Sequence, residues 1–238
     1  MTTAGPLTGL GAAIQRESTT EQAAAVLREA ILSGRLLPGT PLREATLAAE
    51  LGVSRNTIRE AARLLGAEGL VRHHMNRGIA VTEITADDVR DIYAARAAAE
   101  ITGAAALVTT RDPGIYRTLA SLAGDIEAAF ARGDTAGVLA GDRLFHATLV
   151  EAAGSPRLSR FHTQLQQEQR LALTLAERSS RQLGRTGDDH RLLLDALHGT
   201  AEQAITQLTA HLQAGAAELQ RLRDLLAQRQ HGPAARAR

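Results

Sequence analysis

Residues 47–62 read LAAELGVSRNTIREAA, and their order decides the fold of the N-terminal part of the chain. Leu47, Ala48 and Leu51 recur at the spacing of one helical face, which predicts a short helix over residues 44–50. Gly52 then supplies a tight turn and Val53 an apolar plug for it. Ser54 is placed to cap a second helix, because its hydroxyl can accept from the otherwise unpaired backbone N–H near Thr57. That helix is predicted to reach residue 68, with Ile58, Ala61, Ala62 and Leu65 on its buried stripe. Arg55, Asn56, Thr57 and Arg59 crowd its first turns on the other side, where such side chains can reach base edges and phosphates. Two helices about a glycine turn are what a helix-turn-helix requires. Taken alone, the same stretch also fits a helical hairpin in some other all-α protein.

Upstream, residues 1–18 are rich in Gly, Thr and Ala with no sustained period and read as a flexible arm. From Thr20 the apolar Ala24, Val26, Leu27, Ala30 and Ile31 fall at helical spacing, and Gly34 is placed to end that helix. Residues 36–41, LLPGTP, carry turn chemistry and read as a connector. Downstream, the apolar segments 70–73 and 79–81 flank Asn76, Arg77 and Gly78, which predicts a small hairpin, the wing of a winged helix-turn-helix. Residues 19–82 are therefore expected to form this domain, with a linker at 83–85.

Beyond the linker, helical periodicity takes over. Thr85 with Asp88, Asp112 before Pro113, Asp134 after Gly133, Ser155 before Pro156, and Thr200 with Gln203 are capping devices that each open a helix. A polar stretch at 179–186 precedes a shorter helix predicted over residues 188–197. The expected fold is mainly α: a winged helix-turn-helix followed, over residues 86–230, by an antiparallel bundle of six to seven helices, with a disordered tail at 231–238.

Composition narrows the function. At 238 residues, two domains with separate cores are expected. No apolar run is long enough to span a membrane and the N-terminus lacks signal-peptide order, so a cytoplasmic protein without membrane partners is expected. Cysteine is absent, which excludes disulfides and thiolate metal sites and leaves His and carboxylate as metal ligands. The net charge of +1 counts against sequence-blind coating of DNA, since that rests on phosphate neutralisation. All 27 basic residues are Arg, the side chain suited to bidentate contact with phosphate or guanine.

In the helical part, Asp142 and His146 stand four apart and leave one helix face together. His190 opens the penultimate predicted helix and His211 lies midway along the last. Helices of a bundle can gather such groups around a divalent ion, with zinc the first expectation and nickel the second. On spacing alone, hydrogen-bonded core histidines remain the alternative. An Asp/His3 site could also serve a metal-dependent hydrolase, but no motif places a general base beside it.

Residues 34–39 (GRLLPG), 51–62 (LGVSRNTIREAA), 68–71 (EGLV) and 76–78 (NRG) together resemble the GntR family of bacterial regulators. The resemblance implies a homodimer whose recognition helices enter successive major grooves of a palindromic operator on double-stranded DNA, with the wing tip in the minor groove. Arg55 and Arg59 carry over as DNA contacts, with Ser54, Asn56 and Thr57 beside them, and His74, Asn76, Arg77 and Gly78 in the wing. Where many members carry an Arg after the residue matching Glu44, this chain has Ala45, and Arg43 is the neighbouring candidate for that contact.

Residues 141–149 (GDRLFHATL), 188–197 (DDHRLLLDAL) and 209–212 (TAHL) resemble the FCD ligand-binding domain of the FadR subfamily. This implies Asp142, His146, His190 and His211 as metal ligands, and a repressor controlled by a small-molecule effector, expected to be a carboxylate. His162 and His198 are assigned to structure. Arg96, in DIYAARAAAE, has two readings: a bidentate clamp on the effector's carboxylate, or a salt bridge to Glu100.

Overall fold

The computed structural model describes residues 18–74, 78–177 and 187–231, and the chain divides after Val81 into two compact units. The expected arm, the wing tip at 75–77, the polar stretch at 179–186 and the tail from 232 lie outside the described residues.

In the first unit, α1 (Thr19–Leu32) opens on a capping box between Ser18 and Glu21, and Gly34 just past its end has φ +73°. Strand β1 (Pro41–Leu42) leads into α2 (Glu44–Leu51) and α3 (Arg55–Ala67), which form the expected helix-turn-helix. The turn works as its residues dictate: Gly52 takes a left-handed φ of +65° and returns its N–H to the Ala48 carbonyl, while the Ser54 hydroxyl accepts from the Thr57 N–H at 3.0 Å. Leu27, Ile31, Ile58, Leu65 and Leu70 are buried where α1 packs on α3. Arg28 clamps Glu68 bidentately across the two helices, Nε donating at 2.7 Å and Nη2 at 2.5 Å.

Strands β2 (Val71–His74) and β3 (Gly78–Val81) pair antiparallel in the register Val71 to Val81 and His74 to Gly78, giving the predicted hairpin. Three details differ from expectation. The connector contributes β1, which adds to β3 so that the sheet order is β1-β3-β2. Two residues are too few to show a period, and Pro41 is tolerated because it sits on the sheet edge. Val26 is half exposed, the buried positions being Ala23, Ala24 and Leu27. On α2 only Ala48 is buried, with Leu47 and Leu51 half-buried at the helix margin.

In the second unit, the described residues form six helices: α4 (Ala86–Thr110), α5 (Pro113–Ala131), α6 (Thr135–Glu151), α7 (Pro156–Glu177), α8 (Gly187–His198) and α9 (Ala201–His231). The capping devices read from the sequence are in place. Thr85 and Asp88 close a capping box, Asp112 accepts from the Gly114 and Ile115 N–H groups, Asp134 from Gly137, and Thr200 and Gln203 cap each other. Short connections fold α6 back on α5, α7 on α6 and α9 on α8. Helix α4 is the centre, touching α6, α7, α8 and α9. At its crossing with α6, a Cβ on Gly103 would lie 2.1 Å from the Leu149 carbonyl oxygen, so the two backbones meet directly.

The C-terminus of α8 is closed by α4 and α5. Arg111 donates from Nη1 to the His198 carbonyl and from Nη2 to the Gly199 carbonyl, both at 2.8 Å, and the Tyr116 hydroxyl donates to the Leu197 carbonyl at 2.6 Å. These bonds satisfy carbonyls that a helix end leaves without partners and put a positive charge at its negative pole. They fix α8, and with it His190.

Candidate metal centre and DNA-reading surface

Asp142 and His146 leave one face of α6 as their spacing requires, His190 comes from the first turn of α8 and His211 from the middle of α9. One donor atom from each lies within 4.8 Å of all the others. His146 Nε2 is 3.1 Å from His211 Nε2 and 3.6 Å from Asp142 Oδ1, and His190 Nε2 is 3.2 Å from the same Asp142 oxygen. Adjacent donors around an ion with zinc–nitrogen lengths of about 2.0–2.1 Å lie about 3.0–3.4 Å apart, a range that the 3.1 and 3.2 Å separations meet. His146 and His190 are fully buried, while Asp142 and His211 are partly exposed and mark the open side.

The outer layer fits the same purpose. Glu100 on α4 is fully buried and accepts from three groups: Arg96 Nε at 2.9 Å, His146 Nδ1 at 2.6 Å and His162 Nε2 at 3.0 Å. By accepting from Nδ1–H of His146, Glu100 orients the ring with Nε2 toward the other three ligands, an arrangement common around metal-binding imidazoles. His211 meets His146 through Nε2, while its Nδ1 is buried with no hydrogen-bond partner among the described residues. The residues present therefore fit a divalent ion held by three imidazoles and one carboxylate.

Burial alone would raise both carboxyls. Arg96 and His146 overcome it at Glu100, and His146 and His190 at Asp142, holding both well below the usual carboxylate range. Burial works against charge on His146 as well, but the carboxylates of Glu100 and Asp142 outweigh it and push that imidazole up to about 9. His211, desolvated and facing His146 and His190, is pushed down to about 3.

Arg96 pairs internally: its side chain is 2% exposed, with Nε on Glu100 and Nη1 on the Gln169 Oε1 at 2.7 Å. Its guanidinium lies 5.0 Å from the centre of the Tyr93 ring, whose hydroxyl accepts from Gln169 Nε2 at 3.0 Å. Burial pushes that phenol up to about 12, so it stays neutral. Tyr93, Gln169 and the hub role of Glu100 were not read from the sequence. Glu100 had a signal, its place four residues after Arg96, whereas nothing local ties Gln169 to α4. His162, assigned to structure, joins the network through Glu100. His198 stands apart, stacked on Tyr116 with ring centres 4.3 Å apart.

In the first unit, Arg43, Ser54, Arg55, Asn56 and Arg59 are exposed and Thr57 is half-buried at the start of α3. Gly78 opens β3 at φ +80°. The side chain of His74, and Asn76 and Arg77 altogether, lie outside the described residues. Arg59 does not pair along its own helix: it binds Glu44 at the start of α2, while Arg63 pairs with Glu60.

Residues 19–81 match the family described as "Bacterial regulatory proteins, gntR family", and residues 91–214 match the "FCD domain". The chain belongs to the GntR family. It is a DNA-binding transcriptional regulator with an FCD effector-binding domain, and its relatives are transcription regulators rather than enzymes. One relative, the "Probable D-xylose utilization operon transcriptional repressor" of Paenarthrobacter nicotinovorans, is 32% identical over 77% of this chain and 81% of its own. The "Gluconate operon transcriptional repressor" of Bacillus subtilis is 30% identical over 58% of this chain and 57% of its own. A solved GntR regulator from Rhodococcus sp. RHA1 superposes with a TM-score of 0.72 at 31% identity, covering 85% of this chain and 98% of that one. Among the described residues of this GntR regulator, no helix is long and apolar enough to cross a membrane.

Proposed function

We propose that this chain is a homodimeric repressor of the FadR type, whose affinity for a palindromic operator is set by a small organic acid bound at Asp142, His146, His190 and His211. The observation that carries the reading is the convergence of four donor atoms within 4.8 Å from three helices. A bound zinc or nickel ion would offer a Lewis-acidic attachment point for a carboxylate. The relatives named for gluconate operons make a sugar acid the first class to test. Arg96 contributes by holding Glu100, and so His146. Its bonds to Glu100 and Gln169 use Nε and Nη1, and Nη2 is the guanidinium nitrogen through which Arg96 would also meet the effector's carboxylate. Coupling between effector and operator needs a differential affinity of only about 1–3 kcal/mol.

Metal content by mass spectrometry, with thermal melts with and without EDTA, tests the sensor. About one divalent ion per chain is expected, lost to EDTA together with a fall in melting temperature. His190→Ala is expected to purify with clearly less than stoichiometric metal. Full retention by that variant would remove His190 from the ligand set, and a metal-free wild type indifferent to EDTA would make the four residues a polar core.

DNA reading is assigned to Ser54, Arg55, Asn56, Thr57 and Arg59 on α3, to Arg43 ahead of α2, and to His74, Asn76, Arg77 and Gly78 in the wing. Arg55→Ala should weaken binding to a duplex selected by the wild type by about 1–3 kcal/mol. Unchanged affinity in a titration followed by fluorescence anisotropy would move the reading surface elsewhere.

A further inference from the structure

Glu44 is the first residue of α2 and Arg59 stands in the second turn of α3. They meet bidentately: Arg59 Nε donates to Glu44 Oε1 at 3.2 Å and Nη2 to Oε2 at 2.8 Å. Both are solvent-accessible, with side chains 50% and 28% exposed. A paired surface arginine of this kind adds little to stability. Arg59's hydrogen bonds hold the Glu44 carboxyl below its usual value, against the opposing effect of its slight burial, and the fields of His73 and Arg55 act in the same direction. Glu44 thus lies beside two cations of the surface assigned to DNA, Arg55 and Arg59.

What the pair does to Arg59 is geometric. Its contacts use the Nε/Nη2 edge of the guanidinium and leave the outer fork, Nη1 and the second N–H of Nη2, directed away from Glu44. Bidentate reading of guanine requires that fork in a fixed plane. A free arginine would have to be immobilised on binding, which costs side-chain entropy. The pair also carries no net charge, so Arg59 held in this way adds little to the phosphate attraction that drives sequence-blind binding.

We infer that Glu44 is a specificity-determining positioning residue: it orients Arg59 for end-on base reading and withholds it from phosphates. The inference rests on the assignment of α3 as the reading helix. Glu44 acts through Arg59, and it also adds a repulsive element, since a carboxylate near the DNA backbone penalises registers in which Arg59 finds no base to engage.

The test uses full-length protein and duplexes selected from a randomised pool by the wild type. Affinities are measured for a selected duplex, its single-base-pair variants and a random duplex, over a salt series. Glu44→Gln and Glu44→Ala are expected to lower discrimination about tenfold at the base pair whose discrimination Arg59→Ala also abolishes. For Glu44→Ala, affinity for the random duplex should rise and the salt slope steepen by about one unit as Arg59 turns to phosphate. If Arg55→Ala loses binding while both Glu44 variants keep wild-type discrimination and salt slope, Glu44 is only a staple between helices and the inference fails alone. If Arg55→Ala and Arg59→Ala both bind like wild type, the reading-helix assignment fails and takes this inference with it.

Discussion

Glu100→Ala is expected to lower the stability of the helical unit by about 3–5 kcal/mol, the usual cost of leaving a buried charge without its counter-ion. Glu100 is fully buried and Arg96 is 2% exposed, so neither can turn to solvent when the other is removed. Without the carboxylate, Arg96 keeps only Gln169 and the face of Tyr93, and His146 and His162 each lose an acceptor. For a chain of this size the melting temperature should fall by about 6–20 °C. The double variant Arg96→Met with Glu100→Leu should recover most of that loss, because a matched apolar pair replaces a buried ion pair at little cost. Metal affinity should not recover with it. His146 remains without the acceptor that fixes its tautomer, and loss of such a partner typically weakens binding about 10–100-fold. Thermal melts together with competition against a chelator separate the two effects. A Glu100→Ala protein within about 1 kcal/mol of wild type would show that the network does not carry the fold.

Gly103→Ala should be nearly as damaging, by a different route. The added Cβ would lie 2.1 Å from the Leu149 carbonyl oxygen, 2.8 Å from its carbon and 2.9 Å from the Val150 Cα, all of them backbone atoms that no rotamer change can move. The helices must separate, and overpacking of this kind costs about 1–3 kcal/mol, with purely backbone contacts at or above the upper end. Gly103 lies nearly one turn beyond Glu100 on α4, and Leu149 nearly one turn beyond His146 on α6. Separation at this crossing therefore also stretches the 2.6 Å bond between Glu100 and His146. Lower stability and weaker metal binding are expected together. Gly124→Ala is the matched control, since its Cβ would meet nothing within 4 Å. There the better helix propensity of alanine should leave the protein unchanged or up to about 1 kcal/mol more stable. Equal melting temperatures for the two variants would mean that α4 and α6 do not cross as closely as the structure shows.

These two sites also show where sequence reading stopped. Asp142 and His146 were paired by spacing alone, because four residues along one helix is a fixed geometric relation. Their meeting with His190 and His211 followed only from a family resemblance, since no periodicity states how three helices turn toward a common point. Arg96 was left between an effector contact and an ion pair. In the structure it bonds to Glu100, one helical turn away, and to Gln169 on a different helix, a contact no local pattern announces. Arg59 pairs with Glu44 on α2, a partner that no pattern within α3 announces.

Local chemistry by itself determined the helix starts, the glycine turn of the helix-turn-helix, the hairpin and the division into two units, because caps, positive-φ glycines and apolar periods act within a few residues. The tertiary structure alone decided which apolar residues were buried at helix margins, that Pro41 and Leu42 form a strand, and that Glu100 is the hub of the ligand network. Those outcomes depend on contacts between residues far apart in the chain, where burial, charge and backbone approach are set by packing and leave no local pattern to read.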